Sequence, residues 1–355
     1  MERKRNTLNR NSWRNFFSDK LSFVAFIFIF ILFILSVFSY QFMIDNSPNA
    51  SGQMHIEISM LNPGSKITML NIPRNKDEIN DQNFINKFFF GTEPNSYSVP
   101  ISSYNSFDSG ISYNVYNSNQ QGVYYGNDYN IEEKTYYLGS DKYGRDFFSR
   151  IICGTRVSFS VGFISVLISL FIGVLLGSLS GFFRGKIDEI IMWVINVVWS
   201  IPTLLMVISV ALILGKGFWQ VFIAVGLTMW VDIARIVRGQ FLLEREKEYV
   251  DAGRSLAFSN FRIIFLHILP NVVSPIIVVC AANFAAAILL ESGLSFLGFG
   301  VQPPLPSWGS IIKDHYHYVI MDKMYLAVIP GIAIILSVLS FMILGNGVHK
   351  SFESS

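Results

Sequence analysis

The residues of this sequence whose types and spacing could act on another molecule lie between positions 238 and 271. Four small or apolar residues recur there at three- and four-residue spacing: Tyr249, Ala252, Gly253 and Leu256. Three charged residues flank them: Glu248, Asp251 and Arg254. Such spacing places the first four on one face of a short helix. Small side chains let two backbones approach closely and flanking charges set the register, so the pattern predicts a docking surface for a partner protein.

Motifs for catalysis, cofactor binding and metal binding are absent from the sequence. There is no G-x-x-x-x-G-K-[ST] motif to hold nucleotide phosphates, no H-E-x-x-H and no nucleophile elbow. Cys153 and Cys280 stand far apart, in or beside apolar runs, which is typical of buried free thiols. We therefore expect no catalytic residue, no cofactor and no bound metal. The net charge of +2 gives no argument for nucleic acid.

The elements that must position the docking helix are membrane spans. Hydrophobic residues make up 51% of the chain and charged residues only 15%, whereas soluble domains carry about 25% charged residues. The excess lies in apolar runs long enough to cross a bilayer, which takes about 20 residues. Such runs are predicted at 21–44, 157–183, 187–214, 218–237, 272–290 and 325–344. The predicted fold class is therefore an all-α integral membrane protein with six transmembrane helices.

The first run and the segment after it differ in character. Residues 1–20 form a basic tail, and the run at 21–44 is too long and too aromatic for a signal peptide, so we expect an uncleaved span. Residues 45–142 are instead rich in Asn, Ser, Tyr and Gly, with turn signals and short alternating pieces at 54–60 and 110–116. This pattern predicts a β-leaning extracytoplasmic insert after the first helix.

Lysine and arginine in the short loops orient the predicted spans. The side assigned to the cytoplasm carries Arg3, Lys4, Arg5, Arg10, Arg14 and Lys20 before the first span, Arg184 and Lys186 after the second, and Arg238, Arg245, Lys247, Arg254 and Arg262 after the fourth. The later turns on the opposite side carry only Lys216, Lys313 and Lys323. We therefore expect both termini and the 238–271 loop in the cytoplasm, and the insert and the 291–324 loop outside.

Charged residues deep inside the spans would indicate an ion-driven carrier. Those present fall at or near the ends of the predicted helices: Asp188, Glu189, Asp232, Arg235 and Glu291. This placement makes an ion-driven secondary transporter the weaker alternative.

Three glycines at four-residue spacing predict a face for close helix packing rather than a pore lining: Gly173, Gly177 and Gly181.

Several ordered motifs resemble those of one family of membrane proteins. They are 138–141 (LGSD), 144–150 (GRDFFSR), 181–188 (GFFRGKID), 234–240 (ARIVRGQ), 267–271 (HILPN) and 291–308 (ESGLSFLGFGVQPPLPSW). On these motifs the sequence resembles the C-type permease subunit of the oligopeptide, dipeptide and nickel ABC importers, from about residue 138 to residue 347. The 238–271 loop is similar to the EAA-type coupling loop of that family.

The resemblance implies a type-1 ABC permease domain at 143–346, a cytoplasmic tail at 347–355 and a place in the bacterial inner membrane. It implies two cytoplasmic ATPases that dock on the helix around 248–257, a homologous second permease that completes the translocation path, and an extracytoplasmic binding protein that delivers substrate. The implied coupling residues are Glu248, Tyr249, Asp251, Ala252, Gly253, Arg254 and Leu256. Peptide is the favoured substrate, with nickel or another small solute as the alternative.

The sequence departs from the family pattern inside the coupling loop. The usual Glu-Ala-Ala is Asp251-Ala252-Gly253, and the usual glycine that follows is Ala257. Glycine at position 253 costs a helix about 1 kcal/mol relative to alanine. Four further departures lie in the third span and near the C-terminus: Trp193, Asn196, Met342 and Asn346. These differences predict a variant docking surface within the same class of protein.

Overall fold

The computed structural model of the protein describes residues 16–74, 83–215 and 217–353. Most of the predicted basic tail, Lys216 and the last two residues lie outside the described residues. The α-helices are α1 (Lys20–Val37), α2 (Ser39–Phe42), α3 (Phe84–Phe90), α4 (Phe147–Phe183), α5 (Gly185–Trp199), α6 (Thr203–Leu214), α7 (Phe218–Gly226), α8 (Trp230–Glu244), α9 (Glu248–Ser255), α10 (Val273–Leu297), α11 (Trp308–His315) and α12 (Tyr325–Glu353). The strands are β1 (Ser65–Pro73), β2 (Ser96–Phe107), β3 (Gly110–Val115), β4 (Gln121–Tyr125) and β5 (Asn130–Tyr136).

Shorter helical turns connect some of these elements. A turn at Asn260–Arg262 continues as a π-helix at Ile263–Ile268 and a 3-10 turn at Leu269–Asn271, and further 3-10 turns lie at Pro48–Ala50, Ile56–Ile58 and Tyr316–Met321. The chain divides into two compact units. The helical unit comprises the described parts of 1–32, 158–301 and 333–355, and the insert unit comprises those of 33–157 and 302–332.

The apolar helices agree with the predicted number of spans. Among the described residues, five are long and apolar enough to cross a membrane: Lys20–Val37, Phe147–Phe183, Phe218–Glu244, Val273–Leu297 and Tyr325–Ser351. The pair α5 and α6 passes the same test together and is bent by 92°. Counting that pair as one broken span gives six, as the apolar runs predict.

Several span boundaries differ from the prediction. The third span is broken between Trp199 and Thr203, because Pro202 has no N–H to donate and disfavours a helical residue before it. The fourth span continues beyond 237 to Glu244, since Phe241 in that extension is buried. The fifth runs to Leu297, and the first ends as a regular helix at Val37.

The glycine stripe of α4 packs against α8, which confirms its predicted packing role. A Cβ on Gly173 would lie 2.7 Å from Ile233 Cβ, and one on Gly177 would lie 2.5 Å from the Ala234 carbonyl oxygen. Real Cβ atoms do not approach other heavy atoms so closely. In lipid, where burial of apolar surface gives helices no driving force to associate, such close backbone contact supplies the attraction through dispersion.

The insert unit contains a five-stranded antiparallel sheet in the order β4-β3-β2-β1-β5, which confirms the predicted β character of this region. Its centre buries Leu70, Ile101 and Ile111 from three adjacent strands. The predicted strand piece at 110–116 is β3. The piece at 54–60 is not a strand: it folds as the 3-10 turn Ile56–Ile58, whose Ile58 packs against Met69 in a second apolar cluster.

The motif at 138–150 forms a network of ion pairs and hydrogen bonds inside the insert unit. The buried Asp141 and Arg145 side chains form an ion pair at 2.6 Å, and Asp146 accepts a hydrogen bond from the Ser149 amide at 2.8 Å. Ser149 Oγ in turn accepts hydrogen bonds from the amides of Ile44 and Asp45, at 3.0 and 2.9 Å. The motif therefore fastens the chain that leaves the first span to the start of α4.

A second tie of the insert unit joins α4 to the loop that follows residue 301. The Arg150 guanidinium donates to the carbonyl oxygen of Pro304 at 3.2 Å, and the Trp308 indole N–H donates to the Ile151 carbonyl oxygen at 3.2 Å. Both donors are buried. Arg150, in the motif at 144–150, and Trp308, in the motif at 291–308, therefore stabilise the fold through these contacts.

Candidate functional site

The predicted docking helix is present as α9, an eight-residue helix between α8 and α10. Its first turn holds Glu248 and Asp251 and its last turn holds Arg254. Acids near a helix N-terminus and bases near its C-terminus oppose the partial charges of the unpaired backbone groups there. The local sequence therefore favours a helix at this position in spite of Gly253.

The two faces of α9 are not divided as the sequence pattern suggests. Val250 and Gly253 are buried and Tyr249 is half-buried, so these three residues face the protein itself. The exposed side holds Glu248, Asp251, Ala252, Ser255 and Leu256, at the spacing of one continuous helix face. The single apolar face predicted from Tyr249, Ala252, Gly253 and Leu256 is thus wrong, because Gly253 and Tyr249 point inward while Ala252 and Leu256 point outward.

The inner face of α9 belongs to an apolar cluster formed by four α-helices and the π-helix at Ile263–Ile268. We name it the base cluster; its buried residues are Phe182, Ile233, Val237, Phe241, Val250, Ile263, Ile264, Ile268, Val272 and Ile276. It joins the last turn of α4, the length of α8 from Ile233 to Phe241, the inner face of α9, the π-helix and the first turn of α10. A displacement of α9 must therefore move the ends of these helices, because a close-packed core does not compress.

Glycine at position 253 leaves a small space in the base cluster. A Cβ there would lie 3.5 Å from Phe258 Cδ2 and 3.8 Å from Ile263 Cγ1, which is ordinary van der Waals contact. A methyl group therefore fits this space.

A set of polar contacts braces α9 against the end of α8. The Tyr249 hydroxyl donates to Glu244 Oε2 at 2.7 Å, and Lys247 Nζ lies 2.5 Å from Glu244 Oε1. Burial, together with the hydrogen bond to Glu244, raises the pKa of Tyr249 to about 12. The hydroxyl therefore remains a hydrogen-bond donor at any physiological pH.

The turn between α4 and α5 is tied to the end of α8 as well. Asp188 accepts two hydrogen bonds from the Arg238 guanidinium, at 2.6 and 2.7 Å. Such two-pronged contacts are the strong class of ionic hydrogen bonds. Arg245 donates to the carbonyl oxygen of Phe182 in the same region. Asp188 thus lies near the start of α5, as the sequence predicts, and its partner there is Arg238.

The C-terminus of α9 ends in a tight cap. The amide of Phe258 donates to the Gly253 carbonyl oxygen at 3.1 Å, and the amide of Ala257 donates to the Arg254 carbonyl oxygen at 2.9 Å. This pair of hydrogen bonds is the Schellman pattern. Ala257 adopts a φ of 55°, in the left-handed region that favours glycine. Glycine, which has no Cβ, would adopt this conformation without steric cost, so Ala257 is a strained residue.

Two acids that the sequence places near span ends lie inside spans. Asp232 stands in the first turn of α8, within the span Phe218–Glu244, because that span continues past the predicted end. Glu291 is buried within α10, where it accepts hydrogen bonds from Ser158 at 3.0 Å and Ser295 at 2.7 Å. Glu291 is thus held by hydroxyl groups, and Asp232 requires a separate explanation.

Asp232 lines a cavity of about 340 Å³ in the helical unit that sequence reasoning missed. The cavity lies where the chain breaks between α5 and α6 and between α7 and α8, and its third wall is α10. Pro202 signals the first break in the sequence. The second break, at 227–229, begins directly after Gly226, and no proline marks it.

The described residues hold no group of three or more His, Cys, Asp or Glu side chains arranged to bind a metal ion. Cys153 is buried and Cys280 partly buried, and both are free thiols.

Comparison with known proteins identifies the class to which these helices and this docking segment belong. Residues 173–355 match the family described as the binding-protein-dependent transport system inner membrane component. The glutathione transport system permease protein GsiD of Pectobacterium atrosepticum is 38% identical over 218 residues, which cover 61% of this chain and 72% of that protein. The oligopeptide transport system permease protein OppC of Bacillus subtilis is 37% identical over 220 residues, which cover 62% and 72%. The inward-facing MetNI methionine ABC transporter aligns with a TM-score of 0.48 and 17% identity, over 57% of this chain and 95% of the matched chain.

The chain therefore belongs to the family of binding-protein-dependent transport system inner membrane components, the permease subunits of ABC importers. It is a multi-pass inner membrane protein that works with a second permease, with ATPase subunits and with a substrate-binding protein. Members of this family are not catalytic, and their ATPase subunits hydrolyse the ATP. The ion-driven alternative is not supported, since the energy source of this class is ATP.

Proposed function

We propose that this permease imports peptides, and that the exposed face of α9 is the surface on which an ATPase subunit docks. The substrate is inferred from relatives whose names specify glutathione and oligopeptides as their cargo. Nickel or another small solute remains the alternative for the substrate. The docking surface is inferred from one observation: α9 offers a continuous exposed face while its other face is fixed in the base cluster.

The docking face combines charge with small apolar contact. Glu248 and Asp251 give it two carboxylates, while Ala252 and Leu256 provide apolar surface that is exposed in the single chain. Arg254 pairs with Asp251 at 3.2 Å at its edge. An exposed pair of this kind contributes little to stability, so its charges remain available to a partner.

The base cluster is the route by which ATPase movement would reach the translocation path. Val250 lies in the base cluster with Phe182, Phe241 and Ile276, from the ends of α4, α8 and α10. Gly253 faces Phe258 and Ile263. Movement of a docked ATPase would push α9, and α9 would turn those helix ends as rigid bodies, a transition of known type. In this scheme Tyr249 and Gly253 act in transmission, while Glu248, Asp251, Ala252, Arg254 and Leu256 act in contact.

We infer the orientation from the basic residues around α9 and in the α4–α5 turn, which favour a cytoplasmic position for these segments and for both termini. The insert unit would then lie outside. Single cysteines at Ser255→Cys and Tyr125→Cys, in a chain with Cys153 and Cys280 replaced by serine, test this with a membrane-impermeant maleimide. Labelling of Tyr125→Cys alone in intact cells supports the orientation, and labelling of Ser255→Cys alone reverses it.

The docking assignment is tested by a matched pair of tryptophan variants. Ala252→Trp places a large ring on the docking face, whereas Asn260→Trp places the same ring on an exposed residue of the following turn. In proteoliposomes with the complete transporter and its binding protein, we expect Ala252→Trp to lower peptide uptake and binding-protein-stimulated ATPase activity at least tenfold, a loss of about 1.4 kcal/mol or more of docking free energy. Asn260→Trp should retain both. Equal activity of the two variants would remove α9 as the docking surface.

A further inference from the structure

The cavity at the two helix breaks has the walls of a small-molecule site. Its lining is mainly apolar, including Trp199, Met206 and Leu289, and a few polar side chains converge on it. A volume of about 340 Å³ lies within the range of pockets for small organic ligands. Membrane transporters place substrate sites beside broken helices, because irregular backbone inside a membrane is tolerated where it lines a cavity.

Two of the polar groups in the cavity are fixed by the broken backbone. Asn283 on α10 donates through its Nδ2 to the Met229 carbonyl oxygen at 3.2 Å, and Thr228 donates to the Val225 carbonyl oxygen at 2.8 Å. The Asn283 bond supplies a donor to the Met229 carbonyl oxygen at the interruption between α7 and α8, and the Thr228 hydroxyl adds to the backbone amides that already donate to Val225. Side-chain hydrogen bonds thus stabilise the second break.

Asp232 also lines the cavity, but it takes no part in the hydrogen bonds of Asn283 and Thr228. Its side chain is exposed at the cavity and forms no hydrogen bond or ion pair with the residues that the structure describes. Arg235, one turn further along α8, places its guanidinium 3.9 Å from the centre of the Trp199 ring. The arginine is thus engaged by an aromatic face and acts on the Asp232 carboxylate only through its charge, without an ion-pair contact. An acid inside a span is costly, and such residues mark sites that bind substrates or ions.

We infer that this cavity binds the protonated amino group of a solute in transit, with Asp232 as its counter-ion. The donor set favours an organic cation over a metal ion, since one carboxylate with an amide and hydroxyl groups offers fewer oxygens than Ca²⁺ requires and lacks the octahedral set of Mg²⁺. The apolar walls suit the carbon skeleton of such a solute. The inference rests on the proposed function, because a peptide with a free amino terminus carries this group.

The test measures binding to the purified transporter without its binding protein. The probes are radiolabelled alanyl-phenylalanine and its N-acetylated form, which differ in the positive charge of the amino terminus. The wild-type complex should bind the free amine at least tenfold more tightly than the acetylated probe, and Asp232→Asn should lose that preference, as expected when a hydrogen bond to a charged group is removed. The matched control is Glu189→Gln, which removes one exposed carboxylate from α5 and should keep the preference.

Equal binding of both probes by the wild type, or an unchanged preference in Asp232→Asn, overturns the inference. An intact monodisperse complex with an unchanged thermal midpoint in Asp232→Asn separates loss of the site from loss of the fold. Uptake assays with the binding protein distinguish this inference from the function on which it rests. If the wild type imports no peptide, the proposed function fails, whereas import with an unaltered Asp232→Asn preference refutes only the role of Asp232.

Discussion

Gly253 offers the sharpest test of how α9 is held, because the structure predicts that enlarging it by one methyl group strengthens the helix. Alanine exceeds glycine in helix propensity by about 1 kcal/mol. The added Cβ would contact Phe258 and Ile263 at 3.5 and 3.8 Å without overlap, and burial of one methyl group adds about 0.8 kcal/mol. Gly253→Ala should therefore stabilise α9 by about 1–2 kcal/mol.

Hydrogen–deuterium exchange of the α9 amides in nanodiscs measures this change. Each 1.4 kcal/mol corresponds to a factor of ten, so Gly253→Ala should slow exchange through local opening roughly tenfold. The matched control is Ala252→Gly on the exposed face, which loses the same propensity without a packing change and should speed exchange about fivefold. Unchanged or faster exchange in Gly253→Ala would refute the buried position of residue 253.

Two further predictions concern the helix contact of α4 and the protonation of the insert unit. Gly177→Leu should prevent a stable complex, since its Cβ would lie 2.5 Å from the Ala234 carbonyl oxygen, whereas Gly239→Leu, with no atom within 4 Å, should be tolerated; the yield of monodisperse complex and its thermal midpoint measure both. Burial lowers the pKa of His315, whose Nδ1–H donates to the Ile311 carbonyl oxygen at 2.7 Å while its Nε2 accepts from the Lys142 amide. Because the unfolded chain then binds the proton more readily, this contribution is complete above about pH 6.5 and is lost as the pH falls below it. Exchange of the α11 amides should accelerate as the pH falls from 7 to 5, after correction for intrinsic rates, and His315→Phe should reduce that dependence; an identical dependence in the variant would contradict the role of His315.

The sequence predicted the membrane spans well because span length and apolar content are local properties. It also predicted the short helix at 248–255, where the charges at its two ends agree with the helix dipole. Which side of that helix faces inward could not be read from spacing alone. Gly253 and Ala252 are both small and adjacent, and only the position of Phe258 and Ile263 decides that the glycine is buried.

Interruptions of helices were harder to predict than the helices themselves. Pro202 gives the first break a covalent cause, whereas the break at 227–229 receives a hydrogen bond from Asn283, more than fifty residues later in the chain. The strand predicted at 54–60 failed for a similar reason: its alternation is real, yet Ile58 is recruited by a tertiary cluster and the segment turns instead of pairing. Long-range contacts decided both cases.

The tight cap at the end of α9 bears on the thermodynamics of assembly. A helix of eight residues is about 12 Å long and would be largely disordered as a free peptide in water. Ordering eight residues only at the moment of docking would cost on the order of 10 kcal/mol in chain entropy. The base cluster and the cap at Ala257 order the helix beforehand. A partner then meets a preorganised surface, and the free energy of association can be used to hold and move the helix.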